Sequence, residues 1–285
     1  MRTLLALFLP VVTLSSFGQN IPKVKFNHLY FVINTYDLEA IKSSDFIKNS
    51  LTAIETRTTK ANDGESWTGT YMYGSENYFE IFDSVGFQPN GTSGIGFSVD
   101  NIGELNTLKE CLDKKYKTFL FKRERDFNGV KIPWFDGLSI DDSTFNSSSS
   151  FGFWIMEYKK EYFEYKKYPY KDNALTRENY LKERAADRQD KILKRFSGIV
   201  MKLSVNEKEF LIRYLNSVNY IRVNNNEFLS PDNFRFVLKD RGLSEKNTIE
   251  SVEFETTKKM TKQTIKVSDN VSILIDGRVG RFTFK

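Results

Sequence analysis

The 285-residue sequence contains one histidine, His28, and one cysteine, Cys111. Every Ser-His-Asp, Cys-His or multi-histidine metal arrangement therefore uses His28 or is excluded. Two carboxylates are set in the chain much as this histidine is. Glu80 in YFEIF and Glu157 in WIMEY each interrupt an apolar or aromatic strand pattern, as His28 does in HLYFVIN. An unpaired carboxylate is costly to bury, so something should pair with each. One histidine and two carboxylates with open coordination positions form the facial arrangement of non-heme Fe(II) enzymes, and Mn²⁺ or Zn²⁺ also fits. Such a metal would bind two neighbouring oxygens of a ligand and act as a Lewis acid, stabilising an enolate or activating dioxygen. The competing reading is ordinary strand alternation, with Glu80 or Glu157 facing solvent and His28 a hydrogen-bonded core residue. Glu253, in SVEFE, holds a matching strand position without a histidine partner, so a glutamate there need not be a ligand.

The elements that would position these residues follow one local grammar three times: an apolar strand, an Asn or Asp cap, an amphipathic helix, then strands joined by tight turns. The opening strands are His28 to Asn34, Gly94 to Asn101 and Val200 to Asn206. Asn101 with Glu104, and Asn206 with Glu209, are spaced like capping boxes. Leu105, Leu108 and Leu112, then Phe210, Leu211, Tyr214, Leu215 and Val218, recur at helical spacing. Asp63-Gly64, Asn128-Gly129 and Asp276-Gly277 suit hairpin turns. Strands are predicted near 52–59, 66–74 and 77–83, then 118–124, 130–136 and 151–159, then 220–224, 233–239 and 248–256, with an added hairpin at about 263–284. This predicts an α+β fold of repeated βαβββ modules. The polar stretch from Thr176 to Arg195 carries Glu178–Lys182, Asp187–Lys191 and Asp190–Lys194 at i,i+4 and predicts a solvated connecting helix.

Two adjacent βαβββ units with His28 on the first strand and glutamates on last strands resemble the vicinal oxygen chelate superfamily of glyoxalases, bleomycin-resistance proteins and extradiol dioxygenases. The stretch from Phe26 through Trp67-Thr68-Gly69-Thr70-Tyr71 to Glu80 is similar to an uncharacterised family of exported bacterial proteins with a glyoxalase-like fold. The resemblance covers about residues 24–160 and implies two paired modules, about 24–88 and 92–160 within a 24–172 domain, forming a cupped sheet. A connecting helix at 173–196 and a more divergent third module at 197–285 with a C-terminal hairpin would follow, the latter covering the cup or mediating association into a homo-oligomer. By position, the resemblance makes His28, Glu80 and Glu157 metal ligands; the fourth position falls on Gly94, which has no ligand to offer. It also implies that Trp67, Tyr71, Tyr73, Trp134 and Trp154 line a pocket for a small-molecule ligand, with ordinary strand packing the alternative. Lyase, isomerase and dioxygenase activities all stay open, beside a metal-free ligand-binding protein of the same fold.

The chain opens with a basic residue, an apolar run from Leu4 to Leu14 and a small, polar stretch to Gln19. That order predicts a signal peptide over residues 1–18, cleaved near Gly18–Gln19, and an exported periplasmic or secreted protein. The run is shorter than the ~20 apolar residues of a membrane span, and no cysteine follows it for a lipid anchor. Composition is ordinary for a globular chain, at 40% hydrophobic and 28% charged. Without Arg2, 41 basic residues face 37 acidic ones, an excess of about +4 that is too mild to argue nucleic acid. Cys111, between Leu108 and Leu112, reads as a buried, inert thiol. Tyr158 to Lys171 interleaves tyrosines and lysines and reads as a solvated edge strand, with an anion-docking surface the alternative. No phosphate-cradling loop, CxxC, HExxH or G-x-S-x-G motif occurs.

Overall fold

The computed structural model describes residues 21–61, 64–142, 149–184 and 186–285. The predicted signal peptide, and Asp63 of the expected Asp63-Gly64 turn, lie outside the described residues.

Strand β1 (Lys25–Ile33) leads into helix α1 (Thr35–Ser43), whose start is fixed by the Asn34 side chain accepting from the Asp37 amide at 2.9 Å. A π-helical turn at Phe46–Leu51 and strands β2 (Ala53–Lys60), β3 (Ser66–Tyr73) and β4 (Tyr78–Asp83) follow. The chain then runs through β5 (Ser93–Ser98), α2 (Glu104–Leu112), β6 (Thr118–Phe127), β7 (Val130–Ile140) and β8 (Phe151–Tyr158). These eight strands form one sheet in the order β2-β3-β4-β1-β5-β8-β7-β6. β1 is parallel to β4 and β5 to β8, while β1 and β5 pair antiparallel at the centre. The sheet curls as a half-barrel until its outer strands approach, and an Ala61–Arg125 bridge links the two edges.

A second sheet begins with β9 (Leu193–Leu203) and helix α4 (Val205–Ser217). It continues through β10 (Ile221–Asn224), β11 (Glu227–Leu229), β12 (Arg235–Asp240), β13 (Ile249–Lys266) and β14 (Val271–Phe284), in the order β10-β11-β12-β9-β13-β14. It packs on the outer face of the first sheet through aromatic pairs: Phe26 stacks on Phe234 at 3.6 Å, and Phe31 meets Phe284 at 5.1 Å. Leu29, Ile81, Ile95 and Ile155 join the same core. This region was expected to cover the cup or mediate association; it covers the back of the cup's sheet and not its mouth.

Several predicted elements are corrected. The stretch from Thr176 to Arg195 is not one helix: a single helical turn at Arg177–Tyr180 and two 3₁₀ turns give way to β9, because Tyr180, Leu181, Ile192 and Leu193 are drawn inward. Residues after Tyr158 are not an edge strand. Helix α3 (Lys160–Lys166) buries Tyr162 and Phe163 and turns its lysines out. The capping box of α4 is Ser204 with Glu207, two residues earlier than the Asn206–Glu209 spacing predicted. Asp276-Gly277 is no hairpin turn; it lies inside β14, where Gly277 at φ +64° sits opposite Met260 in an irregular stretch of the ladder. The chain turns instead between Lys266 and Val271. Cys111 is only partly buried on α2. Among the described residues no helix is long and apolar enough to cross a membrane.

Candidate functional site

Period-two alternation along β1, β4 and β8 divides the chemistry-bearing residues between two faces. His28 and Tyr30 of β1, Tyr78, Glu80 and Phe82 of β4, and Trp154 and Met156 of β8 share the inner face and line a cavity of about 780 Å³ that also reaches Phe151, Phe153 and Phe210 of the outer core. Trp67 and Tyr71 of β3 and Trp134 of β7 add to its walls. Trp134 owes its inward position to a bulge: the pairing skips it between Arg123–Phe135 and Glu124–Pro133, so Trp134 and Phe135 both join the inner aromatic cluster.

Glu157 is on the other face. Its carboxylate accepts from the Leu105 amide at 2.9 Å, in the first turn of α2. A negative side chain is favourable there because the helix N-terminus presents unpaired N–H groups. The expected metal set of His28, Glu80 and Glu157 therefore does not converge, and no group of three His, Cys, Asp or Glu able to hold a metal is found among the described residues. Glu157→Ala should cost about 1–2 kcal/mol of stability, as the loss of a helix cap does. Urea denaturation checks this, and a variant of unchanged stability would contradict it.

His28 is held on every side. Its Nδ1 lies 2.9 Å from Asn27 Oδ1, and the Asn27 amide nitrogen donates to the Tyr158 hydroxyl at 3.2 Å. The imidazole stacks on Tyr78 at 4.6 Å and meets the edge of Trp154 at 5.3 Å. Beneath it lies Gly96, its register partner on β5, where a Cβ would stand 2.3 Å from the imidazole Cε1. Gly94, the expected fourth position, is likewise covered by the Tyr30 ring. The ring is buried, which pulls its pKa down to about 3 and keeps it neutral.

Glu80 shares the cavity with His28. Burial pushes its carboxyl up to about 8, against the opposing pull of Arg57, Arg125 and a hydrogen bond from Tyr78. Arg125 is itself buried, donating to the Tyr162 hydroxyl at 2.7 Å and lying 4.7 Å over the Trp134 ring. Arg57 covers the Tyr71 ring at 4.4 Å and pairs with Glu55 at 3.2 Å. Tyr73 faces this polar layer and is not part of the cavity wall: its hydroxyl donates to Glu55 at 2.6 Å, which also pairs with Arg184 at 2.7 Å.

Of the expected ligand-binding residues, Trp67, Tyr71, Trp134 and Trp154 come together in the cup. The sequence reading missed Tyr30, Phe82, Arg123 and the loop residues Phe87 and Gln88, all of which line it. Tyr30 donates to Gln88 at 3.3 Å and Phe87 stacks on Phe82 at 4.2 Å, which seats the loop at the rim. The period-two step from His28 was the available signal for Tyr30, and from Glu80 for Phe82.

This is an α+β fold with a curled half-barrel sheet around an aromatic-walled cup, its back covered by a second sheet. Residues 26–284 match the family of unknown function DUF5829, and the chain belongs to that family. The fold is similar to the crystal structure of a hypothetical protein from Staphylococcus aureus, at 10% identity and a TM-score of 0.53 over 85% of this chain and 95% of that one. A xylose isomerase-like TIM barrel/4-hydroxyphenylpyruvate dioxygenase fusion protein is more remote, at 8% identity and a TM-score of 0.39 over 80% of this chain and 36% of that one. No curated protein matches the chain.

Proposed function

We propose that the protein is an exported, glyoxalase-like binder of a small organic ligand, held in the cup without a metal. The observation that supports this most is the pairing of a neutral His28 and a carboxyl that burial holds protonated, Glu80, in one cavity with aromatic walls. Such a site offers a few convergent polar groups on an otherwise apolar surface, the usual make-up of a small-molecule pocket. The strand order, mirrored about the β1–β5 pair, supports reading the first sheet as two βαβββ units. The basic, apolar and small-residue order of residues 1–18 supports export, which N-terminal sequencing of the natural protein tests.

The metal-dependent reading loses its donor set because Glu157 caps α2 on the outer face. A thermal-shift screen of divalent metals and of small aromatic and oxygen-rich compounds separates the two readings. Stabilisation by an organic compound without added metal, reduced in Trp67→Ala, is expected; at a ligand concentration of 100 Kd it amounts to about 2.7 kcal/mol. Stabilisation by a divalent metal alone, lost in Glu80→Gln, would overturn metal-free binding.

A further inference from the structure

Asn27 is wholly buried, and its amide has two partners, the Tyr158 hydroxyl and the His28 ring. Its nitrogen donates to the Tyr158 hydroxyl at 3.2 Å; its oxygen faces His28 Nδ1 at 2.9 Å and also lies 3.5 Å from that hydroxyl. An amide oxygen only accepts, so with this orientation of Asn27 the proton sits on Nδ1. A neutral imidazole has one N–H, and Nε2 is left with a bare lone pair. No side chain among the described residues donates to Nε2, and the ring lines the cavity. The ring cannot turn to find another partner, because Tyr78 and Trp154 flank it and Gly96 lies directly beneath.

We propose that Asn27 is a positioning residue that locks His28 as the Nδ1–H tautomer, so that the cup selects ligands presenting an O–H or N–H donor to Nε2. This rests on reading the cup as the ligand site, and it adds the polarity of recognition. A buried acceptor left unpaired costs about 1–3 kcal/mol. A donor-bearing ligand should therefore bind roughly 5- to 150-fold more tightly than its methylated analogue of similar shape. Alternation along β1 would place Asn27 and His28 on opposite faces, but the register shift between Phe26 and His28 lets the two side chains meet.

Because His28 is the only histidine, the full-length protein labelled with ¹⁵N-histidine gives one pair of ring nitrogen resonances. In the wild type, Nδ1 should be protonated and Nε2 bare. Asn27→Asp, which keeps the acceptor, should retain Nδ1–H, and Asn27→Leu should shift the ring toward Nε2–H. Benzyl alcohol at millimolar concentration should move the Nε2 resonance saturably, and benzyl methyl ether should not. A wild-type ring protonated on Nε2 would overturn the tautomer lock while leaving the ligand site standing on the thermal-shift screen. Equal binding of alcohol and ether, or binding of neither, would overturn the donor selectivity. A screen without any stabilising compound would remove the ligand site itself.

Discussion

Stability should peak on a plateau between about pH 4.5 and 6.5 and fall on both sides, with Glu80 setting the alkaline limb and His28 contributing to the acid one. The Glu80 carboxyl is raised from 4.5 to about 8 in the folded protein. From pH 4.5 upward the unfolded chain gives up this proton while the folded one keeps it, so stability declines until about pH 8 and then levels off. At 1.36 kcal/mol for each pH unit of displacement, the Glu80 contribution falls by about 5 kcal/mol, of which about 2 kcal/mol lies above pH 6.5. His28 moves the other way, lowered from 6.5 to about 3. As pH falls below 6.5 the unfolded chain takes up a proton that the folded one refuses, and stability declines with acid. Between 4.5 and 6.5 the two slopes oppose each other and cancel. Urea midpoints from pH 3.5 to 9 measure the profile. Glu80→Gln should flatten the limb between pH 6.5 and 8 and exceed the wild type in stability at pH 8. His28→Gln should weaken the acid limb, leaving the decline due to other carboxylates. A wild-type midpoint unchanged from pH 6.5 to 8 would show that Glu80 ionises normally.

Arg177→Met should cost about 3–5 kcal/mol, the loss expected when one partner of a buried ion pair is removed. The Arg177 side chain is 2% exposed and pairs at 2.7 Å with Asp232, which is 11% exposed. Asp232 lies between β11 and β12 of the second sheet. The same guanidinium donates to the Phe26 carbonyl on β1 and lies 3.3 Å from Glu178. One side chain thus ties the central strand of the cup to the sheet behind it. The substitution preserves most of the apolar stem and removes the cation paired with Asp232, whose carboxylate keeps only a hydroxyl donor, Ser230 at 2.5 Å, among the side chains of the described residues. Adding Asp232→Asn should recover a large part of the loss, since the unpaired charge is its main source. Urea denaturation of the two variants checks this; a single-variant loss below about 1 kcal/mol would mean that water reaches Asp232 and screens it.

The eight strands of the cup were legible because turn residues and apolar runs bound each one. Asn128 and Gly129 take positive φ as an Asn-Gly hairpin requires, and the adjoining strands fall close to their predicted ranges. The faces were less legible. In β8, Phe153, Trp154, Ile155 and Met156 all lie against packed aromatic or aliphatic neighbours, so no polar alternation shows which way Glu157 points. The outer face of this sheet is covered by another sheet, which removes the usual contrast between wet and dry sides. Glu80 is surrounded in the same manner by Phe79 and Ile81, and its inward direction could be read only with β1 as a neighbour. The Trp134 bulge and the register shift beside Asn27 each reset alternation locally, and neither has a spacing signature beyond Pro133. Polar composition misled the reading of residues 158–196: lysines and glutamates dominate the count, but Tyr162, Phe163, Tyr180 and Leu181 decide the structure by filling one end of the cup. In β13 the charged run after Thr256 suggested a strand end, whereas the strand continues to Lys266 as a ribbon paired with β14.

The residues that fill that end of the cup belong to the stretch of chain between the two sheets. In chain order, all eight strands of the first sheet come before the segment that fills that end: Tyr162 and Phe163 follow β8 directly, and Tyr180 and Leu181 come about twenty residues later. A chain cut after β8 would carry the cup's walls without their stopper, and the connecting segment, simple as its composition looks, decides whether the interior is packed shut.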